Sequence, residues 1–184
     1  IGANNCLKGH NGVDIVAPWG TPIYATTTQK IQQIKLDPGG YGKHIRSTDD
    51  TYEWVYGHLS AIMVSVGQLI QEGTYIGNMG NTGFVVSGAT PFWKTNPYRG
   101  THLHLGIRAI STCKPGDSCI SYNTGDTFYI PHYNNGFFGS EDPRSLFISD
   151  IITEYEIVKG LQLTVISLLN QVVGLYEQII RKKQ

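Results

Sequence analysis

Glycine and proline interrupt residues 13 to 109 so often that no long helix fits there. Val13 to Ala17, Pro22 to Thr26, Ile31 to Leu36, Lys43 to Ser47, Tyr52 to Tyr56, Tyr75 to Met79 and His102 to Arg108 are short apolar or alternating runs between those breaks. Runs of this length read as strands, because Gly supplies the positive φ that turns need and Tyr, Thr and β-branched residues suit a half-buried pleat. The expected fold is mainly β and antiparallel, with Ile15, Ile23, Ile34, Ile45, Val55, Leu69, Ile76, Leu103 and Leu105 as its core. Residues 80–100 and 111–139, rich in Gly, Pro and aromatics, read as long irregular surface loops.

The pattern changes at Asp150. Val158, Leu161, Val165, Leu168, Val172, Leu175 and Ile179 follow a three-four spacing, with β-branched residues at one heptad position and Leu at the other. That seam predicts a long amphipathic helix over 150–184, separate from a domain over 1–149, and favours a parallel two-stranded coiled coil. Asp150 is the expected cap, Glu154 and Glu156 lie early, and Arg181, Lys182 and Lys183 close the helix in the sense its dipole favours. The alternative is a helix packed on its own domain, since Ile166, Val173 and Ile180 widen the apolar stripe. The charge-free stretch between Lys159 and Glu177 is too short, and with Gln162, Asn170 and Gln171 too polar, for a membrane span.

Charge excludes one class of function. The 14 Lys and Arg balance 14 Asp and Glu, which leaves no cationic surface for nucleic acid. Cys113 and Cys119 bracket a turn-forming Lys-Pro-Gly-Asp-Ser stretch that can bring them face to face, or they stay reduced; Cys6 is left over. The chain begins at Ile, so the lack of a leader peptide carries nothing about compartment.

The histidines are the chemically informative residues. In Thr-His-Leu-His-Leu, a strand projects His102 and His104 from one face while Leu103 and Leu105 enter the core behind. Gly-His-Asn-Gly-Val-Asp adds His10 and Asp14, with Gly12 allowing the backbone to bend between them. A His, His and Asp set with a fourth position open to water is catalytic rather than structural zinc chemistry. An HxH on a strand is by itself equally an exposed polar face, so the joint occurrence matters.

Six segments in order carry a resemblance. They are Gly-His-Asn-Gly-Val-Asp at 9–14, Ala-Pro-Trp-Gly-Thr-Pro-Ile-Tyr-Ala at 17–25, Tyr-Gly-His-Leu-Ser at 56–60, Gly-Gln-Leu-Ile-Gln-Glu-Gly at 67–73, Ile-Gly-Asn-Met-Gly-Asn-Thr-Gly at 76–83 and His-Leu-His at 102–104. Together they resemble the lysostaphin/LytM-type zinc peptidases that cut peptide bonds in bacterial peptidoglycan; Asp142-Pro143 is similar to that family's closing segment. The resemblance implies an antiparallel groove domain in which His10, Asp14 and His104 bind Zn2+, while His58 and His102 face the reacting water. Either of these two would be the general base. It implies a zinc endopeptidase with peptidoglycan peptides as substrate, placed outside the cytoplasm or on a phage particle. Two alternatives keep the fold but change the role: a non-catalytic binding module, or a structural subunit of a phage-tail-like or envelope assembly docked or self-associated through the helix. His44 and His132 match no ligand position and read as surface or structural residues. The segment 85–99, with Phe92, Trp93 and Pro97, is an insertion before HxH that should alter the groove wall.

Overall fold

The computed structural model describes residues 9–87, 90–91, 94, 96 and 98–181, with backbone alone at 86–87, 90–91, 148–157 and 174–181. Cys6, Phe92, Trp93, Pro97, Lys182 and Lys183 lie outside the described residues. In chain order the strands are β1 (Val13–Ile15), β2 (Pro22–Tyr24), β3 (Gln29–Asp37), β4 (Gly42–Thr48), β5 (Tyr52–Gly57), β6 (Ala61–Ile62), β7 (Leu69–Ile70), β8 (Tyr75–Asn78), β9 (Val86–Ser87), β10 (Thr90–Pro91), β11 (Leu103–Ala109), β12 (Ser111–Thr112), β13 (Ile120–Ser121), β14 (Thr127–Tyr129) and β15 (Ser140–Glu141). A helix, α1 (Arg144–Arg181), follows. The fold is therefore mainly antiparallel β with a C-terminal helix.

The principal sheet has the order β1-β11-β5-β4-β3-β7, with β15 also pairing with β11. Its centre is buried on both faces. Tyr56, Ile45, Leu105 and Ile107 are almost wholly covered on one face, while His104, Glu53 and His44 are covered on the other. A smaller sheet, β2-β8-β6, carries Ile23 and Ile76 into the core.

Several expectations need correction. Ile15 is 43% and Leu69 73% exposed, whereas Ile31 and Ile70 are buried. Ile15 lies on the edge strand, and in β7 the pleat turns Ile70 inward and Leu69 outward. A bulge between Ile31 and Gln33 shifts the register of β3, which leaves Ile34 only half-buried. The two expected loops contain short strands: β9 and β10 form a hairpin, and β12, β14 and β13 form a three-stranded sheet. Cys113 and Cys119 are bridged, with Cα atoms 6.0 Å apart.

The chain divides into two compact units between Pro143 and Arg144. The helix starts at Arg144 and not at Asp150, because Asp142-Pro143 already supplies a capping residue type followed by a proline whose missing N–H costs nothing in the first turn. The described heptad residues Val158, Leu161, Val165, Leu168 and Val172 are between 52% and 62% exposed. Among the described residues, no helix is long and apolar enough to cross a membrane.

Candidate metal centre

Register assembles the site. Asp14 of β1 lies opposite His104 of β11, which lies opposite Gly57 of β5, so the three share one row and one face. Gly57 contributes no side chain; a Cβ there would stand 3.2 Å from the His104 Cβ and 3.5 Å from Tyr41. His10 comes from the turn before β1. Gly12 lets that turn close over the row, since a Cβ on it would meet the Leu105 carbonyl at 2.6 Å and His104 Nε2 at 2.8 Å.

Three ligand-type atoms converge. His10 Nε2 lies 2.9 Å from His104 Nδ1 and 3.1 Å from Asp14 Oδ1, and His104 Nδ1 lies 3.5 Å from the same oxygen. Two zinc bonds of ~2.0–2.1 Å at a tetrahedral angle separate their ligand atoms by about 3.3 Å, so these edges match one face of a tetrahedron. His104 Nε2 is buried and has no hydrogen-bond partner among the described residues. Burial, followed by His10 and His58, pushes the His104 pKa down to about 4, which keeps the ring neutral, the form that ligates metal. The donor set and its spacing fit zinc.

Two further histidines flank the triad. His58 follows β5 at φ 62°, a left-handed conformation uncommon for a side chain of this size. Its backbone N–H donates to the Tyr41 carbonyl at 2.7 Å, and its Nδ1–H donates to the Thr82 carbonyl at 2.7 Å. His102 is anchored the same way, by its N–H on the Gly80 carbonyl at 3.1 Å and its Nδ1–H on the Gly100 carbonyl at 2.8 Å. Both rings thus leave Nε2 as the proton acceptor, and their centroids are 4.6 Å apart. Burial is the main cause that pushes the His58 pKa down to about 4; the Thr82 carbonyl opposes it and His102 adds to it. His102 Nε2 is 3.5 Å from Asp14 Oδ1.

All five expected residues therefore meet in one groove of about 750 Å3, within the range of ligand-binding clefts. His44 and His132 stay out of it chemically: His44 is buried with Nδ1 on the Gly42 carbonyl, and His132 is exposed. Sequence reasoning missed three contributors to the groove, Tyr41, Arg46 and Arg108. Tyr41 packs on the His104 ring at 4.9 Å and bonds Asn11, while Arg46 and Arg108 line the groove further along. No motif marks these residues; only cross-strand register brings them there.

Residues 8–117 match the family model described as peptidase family M23. The chain is 34% identical over 98 residues to the peptidoglycan DD-endopeptidase ShyA of Vibrio cholerae, covering 53% of this chain and 20% of the relative. It is 30% identical over 101 residues to the L-Ala--D-Glu endopeptidase of Bacillus subtilis, covering 53% and 29%. Among solved structures, the catalytic domain of lysostaphin from Staphylococcus simulans superposes with a TM-score of 0.51 at 24% identity, over 74% of this chain and 77% of that one, a likeness of fold. The chain spans less than a third of either curated relative.

Proposed function

This chain belongs to peptidase family M23, and from that premise we propose that it is a zinc-dependent endopeptidase hydrolysing peptide bonds of bacterial peptidoglycan. The observation that carries this reading is the tetrahedral-face spacing of His10 Nε2, Asp14 Oδ1 and His104 Nδ1 beside two histidines whose Nε2 atoms accept protons. Zinc held by these three residues supplies Lewis acidity, polarising a carbonyl and lowering the pKa of water toward ~7. The proton carrier is one of His58 and His102. The bond from each Nδ1–H to a main-chain carbonyl fixes the tautomer, so Nε2 takes a proton from the attacking water and returns it to the departing amine. One ring performs this transfer and the other orients the substrate. The neutral form needed for proton acceptance agrees with the lowered His58 pKa.

Metal content measured alongside cleavage of purified peptidoglycan tests the reading. About one zinc per chain is expected, with cleavage abolished by chelation and restored by zinc; cleavage that survives chelation overturns it. Its substrate implies placement outside the cytoplasm or on a phage particle.

The helix supports a compatible second role. We infer that the catalytic unit, reaching to about Pro143, rides on an assembly through the helix that follows, by self-association or docking. The support is the exposed heptad seam, with β-branched residues at one position and Leu at the other. Sedimentation of the full chain against a Leu161→Glu/Leu168→Glu variant checks it: a fall to monomer mass is expected, and two equal masses remove the self-association argument.

A further inference from the structure

The groove floor continues past the metal ligands as an ordered pair of rows. On β11 the face that carries His104 carries Gly106 and Arg108 next, and register sets Gly106 beside Val55 and Arg46, and Arg108 beside Glu53 and Thr48. At ~3.3 Å per residue, Arg108 lies about 13 Å along β11 from His104, and Arg46 is one row nearer. Gly106 keeps the floor open between them, since a Cβ there would meet the Asn11 carbonyl at 3.1 Å and His104 Nε2 at 3.4 Å.

Glu53 is the buried centre of this patch, with no exposed surface. Arg46 Nη1 donates to its Oε1 at 2.9 Å, Arg108 Nε donates to its Oε2, and the Tyr122 hydroxyl donates to Oε1. Burial raises the Glu53 carboxyl, but the Arg46 and Arg108 guanidiniums beside it hold it, on balance, below the usual range. The carboxylate is therefore charged, and one arginine suffices to balance it. The second cation is surplus. Arg46 and Arg108 side chains remain 19% and 14% exposed, and both line the groove. Arg46 is also steadied over the Tyr41 ring at 5.5 Å. The groove's other carboxylate outside the triad, Asp37, pairs with Gly42, on the far side of the Ile45–Tyr56–Leu105 row from Arg46, and is turned onto the Gly39 N–H.

We propose that Arg46 and Arg108, oriented by Glu53, form a carboxylate-binding subsite, so that the peptide this groove takes carries a free carboxylate two to four residues from the bond cut. The inference deepens the proposed peptidase reading and rests on it for the nature of the substrate. A pre-oriented guanidinium fork recognises a carboxylate through paired charge-assisted bonds and has much less to offer the neutral carboxamide. Glycine-only bridges, which have no internal carboxylate, would leave the subsite unused.

The test is binding, which does not depend on turnover. The zinc-loaded full chain is titrated calorimetrically with the stem tetrapeptide L-Ala-γ-D-Glu-L-Lys-D-Ala in four forms: both carboxylates free, the glutamyl one amidated, the C-terminal one amidated, and both amidated. One amidation is expected to weaken binding by at least tenfold, and which one it is identifies the carboxylate held. Arg46→Gln, which leaves Glu53 its bonds to Arg108 and Tyr122, is expected to reduce that discrimination to within twofold, and Arg46→Lys to restore part of it. Equal binding of all four forms, no binding of any, or full discrimination retained by both Arg46→Gln and Arg108→Gln overturns the subsite. Cleavage of whole peptidoglycan is followed separately, so a working peptidase without discrimination sinks the subsite alone, while discrimination without cleavage sinks the peptidase reading alone.

Discussion

Neighbouring residues on β5 serve opposite faces of one sheet, and the polar clusters they serve are built on opposite principles. On one face, Gln29 Nε2 donates to Thr26 Oγ1 at 2.9 Å, Thr27 Oγ1 at 3.1 Å and the Tyr56 hydroxyl at 2.9 Å, while the Ser47 hydroxyl donates to Gln29 Oε1 at 2.6 Å. Every buried side-chain polar atom of that network has a partner. On the other face, beside Gly57, His10, Asp14 and His104 turn lone-pair atoms toward one point and leave His104 Nε2 buried without a partner. A satisfied network rigidifies a core; lone-pair atoms that converge on one point need a cation between them to be favourable. The same contrast separates the two units of the chain, since the β unit buries its large apolar residues at the sheet centre, whereas the described seam of α1 is more than half exposed.

The comparison breaks most visibly at the triad. His104→Ala removes one of the three proposed ligands without touching the Gln29 network, so zinc content should fall to near zero and cleavage to background while the circular dichroism spectrum stays that of a β fold. His58→Ala should retain zinc and lose roughly 10²–10⁴-fold in kcat, the size of a general acid–base contribution. Loss of zinc along with activity in that variant would move His58 from proton carrier to ligand support. Gly12→Ala sharpens the point: its Cβ would meet backbone at 2.6 Å, so the turn carrying His10 must shift, and zinc affinity should drop about 10–100-fold, the range seen when residues behind the ligands are changed. Equilibrium dialysis against a chromogenic chelator measures it.

How much of this was legible in the sequence depends on the distance over which each signal acts. Thr-His-Leu-His-Leu could be read because strand alternation is local: His102 and His104 do share a face, with Leu103 and Leu105 buried behind. The segment order around His10, Asp14 and His58 carried the rest of the triad's neighbourhood through family resemblance. Arg46, Glu53, Arg108 and Tyr122 were invisible because they meet only through strand pairing and a chain return of 69 residues between Glu53 and Tyr122. Core choices failed where the pleat or the sheet edge decided, at Leu69 and Ile15, and the helix start was misread because Asp142-Pro143 is a stronger start signal than Asp150. Val158 to Val172 displayed the seam plainly, yet a seam carries no information about what covers it.

The smallest effect comes from the satisfied face. Tyr56→Phe deletes a buried hydroxyl that accepts from the Thr26 N–H and meets Thr26 Oγ1 at 2.8 Å, so that N–H loses its acceptor while Gln29 keeps Thr26 and Thr27. The cost should be about 1–3 kcal/mol, the usual penalty for an unsatisfied buried polar group, read as a lower midpoint in urea with an unchanged slope. Zinc stoichiometry and the kcat for peptidoglycan should not change, because Tyr56 and the triad share a strand pair but no hydrogen bond among the described residues. If zinc affinity fell with stability, the two faces would be mechanically coupled through the Tyr56–Leu105 pairing, and the division between a structural and a chemical cluster would fail.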